Sequence, residues 1–106
     1  MKLDLSEYRI SLIVCPVNMR RGFRSLSILA QALINVDVAG GRDCVVFISS
    51  RRTVCKLIWS DAHGSSMITR SLSRSRFCRL FEMDTPVRLI PVSELLRFLD
   101  GEQIER

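Results

Sequence analysis

Residues 44–60 read CVVFISSRRTVCKLIWS. Two runs rich in β-branched and aromatic residues, CVVFIS and TVCKLIWS, flank the polar triplet Ser50-Arg51-Arg52, which is the pattern of a β-hairpin with Arg51 and Arg52 at its tip. Downstream, SDAHGS has the composition of a turn, and SSMITRSL alternates apolar with polar in the manner of a half-buried strand, so a second hairpin follows the first and a meander is the economical topology. In SRSRFCRLFEMDTP, residues 73–86, Phe77 and Phe81 read as core anchors, Arg74, Arg76 and Arg79 read as outward-facing, and a further strand is optional. A short strand at Val87–Leu89 precedes PVSELLRFLDG, a closing helix with Pro91 in its first turn and Gly101 at its C-terminal end.

Upstream of the hairpin, Ile10–Val14 is an apolar run stopped by Pro16. Met19, Phe23, Leu26, Ala30 and Leu33 then recur at steps of three and four, which predicts an amphipathic helix over residues 19–34 with Asn18 as its N-cap. A loop carries Gly40-Gly41. The expected fold is a single α+β domain, a largely antiparallel sheet of about five strands packed with two helices, in the order β-α-β-β-β-(β)-β-α. In this reading the sheet covers the helix with one face.

The chain has 106 residues, room for one domain, and its 47% hydrophobic content is enough for a core. No apolar run approaches the ~20 residues of a membrane span, and MKLDLSEYRI carries Asp4, Glu7 and Arg9 where a signal peptide would be apolar, so a soluble cytoplasmic protein is expected with no membrane partner. Cys15, Cys44, Cys55 and Cys78 form no CxxC pair, and His63 is the only histidine, which argues against zinc. Three of the cysteines lie in apolar runs, as buried thiols do in a reducing compartment.

The charge is unevenly placed. Residues 9–88 hold thirteen Arg or Lys against five Asp or Glu, while the two ends hold three against six. Fourteen of the sixteen cations are Arg, whose planar fork suits phosphate and carboxylate. Arg20, Arg21 and Arg24 crowd the expected helix start, where the helix dipole disfavours cations unless an anion joins them, and Gly22 beside them suits a close backbone approach. Arg51 and Arg52 at the hairpin tip, with Arg70, Arg74 and Arg76 interleaved with serines, make a second basic set. Backbone neutralisation of nucleic acid needs no more than this, and no helix-turn-helix, zinc finger or other base-reading motif is present. Trp59, Phe77 and Phe81 are candidates for stacking on bases, with core packing as the plainer role. Asp61, His63 and Ser65 are residue types of a hydrolytic triad, yet neighbours on one tight turn rarely converge, and nothing gathers Asp37, Asp43, Asp61, Glu82 and Asp84 for two-metal chemistry. No catalytic residue, metal ligand or cofactor is therefore assigned.

The stretches NMRRGFRSL (18–26), VVFISSRRTVCKLIWSDAHG (45–64), RSLSRSRF (70–77) and VRLIPVSELLRFLDG (87–101) resemble, in order and spacing, the small accessory protein of insertion sequence 66 elements, the second-reading-frame or TnpB type. The similarity covers roughly residues 10–102. Asn18, Ser60, Ala62, Ser75 and Ile90 depart from the usual pattern, which has Asp, an aromatic, Gly, Gly and Thr there. The resemblance implies a non-catalytic protein encoded beside a transposase and needed for movement of the element. It supplies no catalytic residue. Two partners fit: DNA, held at its backbone by Arg20, Arg21, Arg24, Arg51, Arg52, Arg70, Arg74 and Arg76, or the transposase or another element-encoded protein, docked without direct DNA contact.

Overall fold

The hairpin of residues 44–60 is the middle of the fold. In the computed structural model, which describes residues 4–78 and 87–102, strand β2 (Asp43–Ile48) pairs antiparallel with β3 (Val54–Ser60), with Val45 opposite Ile58 and Ile48 opposite Cys55. β3 continues the meander into β4 (Ser65–Ser71), from Val54 opposite Ser71 to Ser60 opposite Ser65. On the other side of β2 lies β1 (Arg9–Ile13), and β1 in turn pairs antiparallel with β5 (Val87–Ile90). The order across the sheet is β4-β3-β2-β1-β5. The β1–β2 pair is parallel, with Arg9 beside Asp43, and its crossover holds helix α1 (Phe23–Ile34) and a 3-10 turn at Val38–Gly40. Helix α2 (Val92–Leu99) closes the chain's described part. The α+β class, the five mostly antiparallel strands and the two helices agree with the sequence expectation.

The sheet buries both faces. On one side Cys44, Val46 and Ile48 of β2 and Cys55, Leu57 and Trp59 of β3 pack with Leu5, Leu12, Phe77 and the α2 residues Leu95 and Phe98. The Phe77 and Phe98 rings stack at 5.1 Å. On the other side Val45, Phe47 and Ile58 pack with Ile13, Val17, Val38 and the α1 residues Leu26 and Ala30. The sheet covers α1 with one face, as expected, and α2 covers the other. Cys44 to Ile48 are consecutively buried because helices lie above and below, which is why CVVFI shows no alternation.

α1 begins four residues later than periodicity predicts. Asn18 does not cap it: the Asn18 Oδ1 accepts from the Arg20 N–H at 2.9 Å, and the Arg21 N–H reaches the Asn18 carbonyl at 3.4 Å, so residues 18–21 form a turn of their own. Gly22 is the N-cap, in extended conformation, and only Arg24 of the three arginines stands in the helix. The C-terminal end of α1 is a left-handed Asn35 whose N–H returns to Gln31 O. Pro91 is the N-cap of α2, one position outside the first turn where the sequence puts it. Residues 72–78 form no strand, and Arg79, Phe81 and the rest of the optional strand lie outside the described residues.

Two positions hold the loops to the sheet. Arg52 sits at φ 59, a conformation that costs a non-glycine residue roughly 1 kcal/mol, and the arrangement repays it. Its carbonyl accepts from the Phe77 N–H at 2.7 Å, and its guanidinium Nη1 donates to Phe77 O at 3.2 Å. Gly101 follows α2 at φ 84, and a Cβ there would stand 2.9 Å from Ser75 Oγ and 3.3 Å from a Leu72 methyl. Gly101→Ala is therefore expected to destabilise the fold by about 1–2 kcal/mol, from the left-handed backbone and the clash together, read as a lower denaturant midpoint at unchanged slope.

The thiols allow a second test. Cys44, Cys55 and Cys78 are buried and Cys15 is half-buried. Burial pushes the Cys44 and Cys55 thiols up to about 12. In the native protein a maleimide should modify Cys15 first, and denaturant should open the other three, as counted by intact mass. Both groups stay protonated in the folded state while the unfolded state ionises them near 9.0, so the two thiols' contribution to stability should be constant below that pH and be lost as pH rises from about 9 towards 12. Chemical denaturation across that window checks the sign.

Candidate nucleic-acid interface

A set of hydrogen bonds gathers distant arginines at one end of the sheet. The β2–β3 tip is Ser49–Thr53, closed by Arg52 N–H to Ser49 O at 3.0 Å and Ser49 N–H to Val54 O at 2.9 Å. The chain before α1 is fastened to this end by Val17 N–H to Ile48 O at 2.9 Å and by Lys56 Nζ to Arg21 O at 2.8 Å. The chain after β4 is fastened to it by Leu72 N–H to Thr53 O at 2.9 Å and Phe77 N–H to Arg52 O. Arg20, Arg21 and Arg24 thus come in on the α1 side, Arg51 occupies the tip, and Arg74 and Arg76 come in on the α2 side.

Among the described residues, carboxylates are concentrated at the opposite end. Asp43 opens β2, Asp61 follows β3, Asp37 accepts from Ala39 N–H at the start of the 3-10 turn, and Glu7 neighbours Tyr8, whose hydroxyl donates to Ser60 O at 2.7 Å. Asp61 is spent on its turn: its Oδ1 accepts from the His63 N–H at 2.8 Å and the Gly64 N–H at 3.0 Å, so Asp61, His63 and Ser65 serve the loop geometry. Among the described residues no group of three or more His, Cys, Asp or Glu could hold a metal ion, and no helix is long and apolar enough to cross a membrane.

The eight arginines singled out by the sequence are not equivalent. Arg52 is half-buried and holds Phe77. Arg70 donates from Nε to Leu99 O at 2.9 Å and from Nη2 to Asp100 Oδ1 at 3.3 Å, closing the C-terminal end of α2, where bare carbonyls want a cation. Arg21 donates to Ser25 Oγ at 2.8 Å. Arg20, Arg24, Arg51, Arg74 and Arg76 are exposed and make no ion pair among the described residues, where the ion pairs are Arg9–Asp43, Arg70–Asp100 and Arg97–Glu102. The start of α1 has no side-chain cap and no acidic residue in its first turn. Gly22 is exposed with open space where a Cβ would stand, so packing does not demand a glycine there.

Lys56 is a positioning residue that sequence reasoning missed, since its Nζ holds the Arg21 carbonyl. It reads as one polar position in a strand, and the signal available was its parity: Lys56 shares the α1 face with Ile58, so a cation pointing there needs a carbonyl from whatever crosses above. Trp59 and Phe77 are buried and pack in the core, so neither is a base-stacking platform in this structure; Phe81 lies outside the described residues.

Comparison with known proteins adds context to this geometry. A curated relative, the uncharacterized protein y4hO of Sinorhizobium fredii (strain NBRC 101917 / NGR234), is 37% identical over 60 residues, 57% of this chain, and the matched stretch spans about half of that protein, 51% of its length. No solved structure matches. The family profile described as IS66 Orf2 like protein matches residues 8–106, nearly the whole chain, and so the chain belongs to the IS66 Orf2-like family.

Proposed function

We propose that this protein, a transposition-associated accessory protein by family, supports transposition by gripping the phosphate backbone of DNA with its arginine-rich end, through binding and without chemistry of its own. One observation carries the reading: Arg20, Arg24, Arg51, Arg74 and Arg76 converge from three stretches of sequence on the β2–β3 end, exposed and without carboxylate partners among the described residues. An exposed guanidinium fork with no internal partner is free to pair with phosphate, and Ser49, Ser50, Ser73 and Ser75 stand among them as further donors. Such contacts carry no base information. They favour a helper that holds DNA of any sequence for an enzyme that cuts it.

The test is fluorescence anisotropy on a mixed-sequence duplex across a salt series. The native protein should bind at low salt with a steep slope of log K on log salt, and Arg51→Gln with Arg74→Gln and Arg76→Gln should flatten that slope by about 0.9 for each phosphate no longer neutralised. Unchanged melting temperature is expected for that triple variant and for Arg20→Gln with Arg24→Gln, since none of the five arginines holds the fold. Arg52→Gln, by contrast, should cost about 1 kcal/mol of stability, because the Phe77 carbonyl is left without its guanidinium donor. A native protein that leaves duplex and single-stranded DNA unbound at low salt overturns the reading and leaves docking on the transposase or another element-encoded protein as the alternative.

A further inference from the structure

The two helices carry matching apolar patches with opposite charge at their rims. On α1 a groove of about 510 Å³ runs past Ser25, Leu29 and Ala32, with Ile28 62% exposed on its lip and Arg21 and Arg24 at one end. On α2 a groove of about 230 Å³ is floored by Leu5, Val92, Leu95 and Leu99, with Leu96 54% exposed on its lip and Asp4 on its rim. The spacing is the same in both. Ser25, Ile28, Leu29 and Ala32 repeat the steps of Val92, Leu95, Leu96 and Leu99, so each patch is one ridge about 10 Å long at 1.5 Å per residue. Beyond Arg24, α1 carries no charged residue. Asp100, at the C-terminal end of α2, is already paired with Arg70 at 3.3 Å, so Asp4 is the rim carboxylate that makes no ion pair among the described residues.

We infer that the α1 face receives the α2 face of a second copy of this chain, Ile28 entering the groove over Val92 and Leu99 while Leu96 enters the groove over Leu29 and Ala32, with Arg21 and Arg24 against Asp4. Pairing like with like gains nothing from charge, because the α1 groove is lined by Arg21 and Arg24 with no carboxylate and the α2 groove by Asp4 with no cation. The two helices lie on opposite sides of the sheet, so an α1-to-α2 contact is heterologous, and each added copy presents a fresh α1 face and a fresh α2 face. The product is a head-to-tail array. This inference goes beyond the DNA-binding reading and does not rest on it.

The experiment uses the full chain freed of nucleic acid, followed by sedimentation velocity and light scattering over a concentration series. The mass of the native protein should rise with concentration past that of two chains, without settling at a symmetric dimer. Ile28→Asp blocks the α1 face and Leu96→Asp blocks the α2 face, so each variant alone should remain a monomer, while an equimolar mixture should give a dimer that grows no further. Circular dichroism establishes that both are folded, and Ala32→Asp, at an exposed position of the same groove, replaces Ile28→Asp if that variant is not. A native protein that is monomeric at every concentration, one that stops at a dimer, or a mixture of blocked variants that stays monomeric overturns the inference. None of these readings involves DNA, and the tip arginines are untouched, so failure here leaves the anisotropy result standing and the reverse holds as well.

Discussion

The whole structure hangs on β2 being buried on both faces. A strand with apolar side chains above and below, Val46 and Val45 alike fully buried, has nowhere to sit except inside a sheet with a layer on either side. That demand brings α1 over one face and α2 over the other, and it sets the strand order, because β2 must have neighbours along both edges. β3 is supplied by the hairpin. β1 reaches the remaining edge only by running parallel to β2, and a parallel pair needs a long crossover, which α1 and its flanking turns provide.

The arginines divide according to what that arrangement leaves open. Arg52 and Arg70 are committed to the fold, because the Phe77 carbonyl in the chain after β4 and the Leu99 carbonyl at the end of α2 each accept from a guanidinium. Arg20, Arg24, Arg51, Arg74 and Arg76 stand about the β2–β3 tip where the chain enters and leaves that end of the sheet, while Arg9 and Arg42 stand at the other end. Among the described residues most carboxylates sit at the far end, with Asp100 and Glu102 beside Arg70 and Arg97 as exceptions.

What the sequence disclosed follows from the range of the interactions involved. Both hairpins were legible because their turns are local: Ser50-Arg51-Arg52 and Asp61 to Gly64 decide pairing between residues a few positions apart. The strand at Ile10 to Ile13 and the closing helix were legible for the same reason. The start of α1 was not, since Asn18 is as good an Asx-turn residue as an N-cap, and the choice is made by Lys56, which takes the Arg21 carbonyl from a strand thirty-five residues away. The second helical layer over the hairpin was hidden by composition, because a run such as CVVFI fits a strand covered on one side or on two. The candidate site was legible as residue types and no further. That Arg52 and Arg70 hold the fold while Arg51 and Arg74 do not is decided by contacts with Phe77 and Leu99, and those contacts leave no local trace in the chain.

The position of β1 has a consequence for synthesis. β1 is made early, yet it lies between β2 and β5, with Ile10 paired to Ile90, so its second edge stays open until the last strand has left the ribosome. The meander β2-β3-β4 has only short loops to close and can assemble as it emerges, and it then waits with β2's inner edge bare or met by β1 alone. An apolar strand with unpaired amides is a template for any other extended chain. For a protein made in small amounts that interval is harmless. Expressed strongly from a heterologous promoter, the same order of events favours inclusion bodies, and slowing translation or lowering temperature acts on the interval itself rather than on the stability of the finished fold.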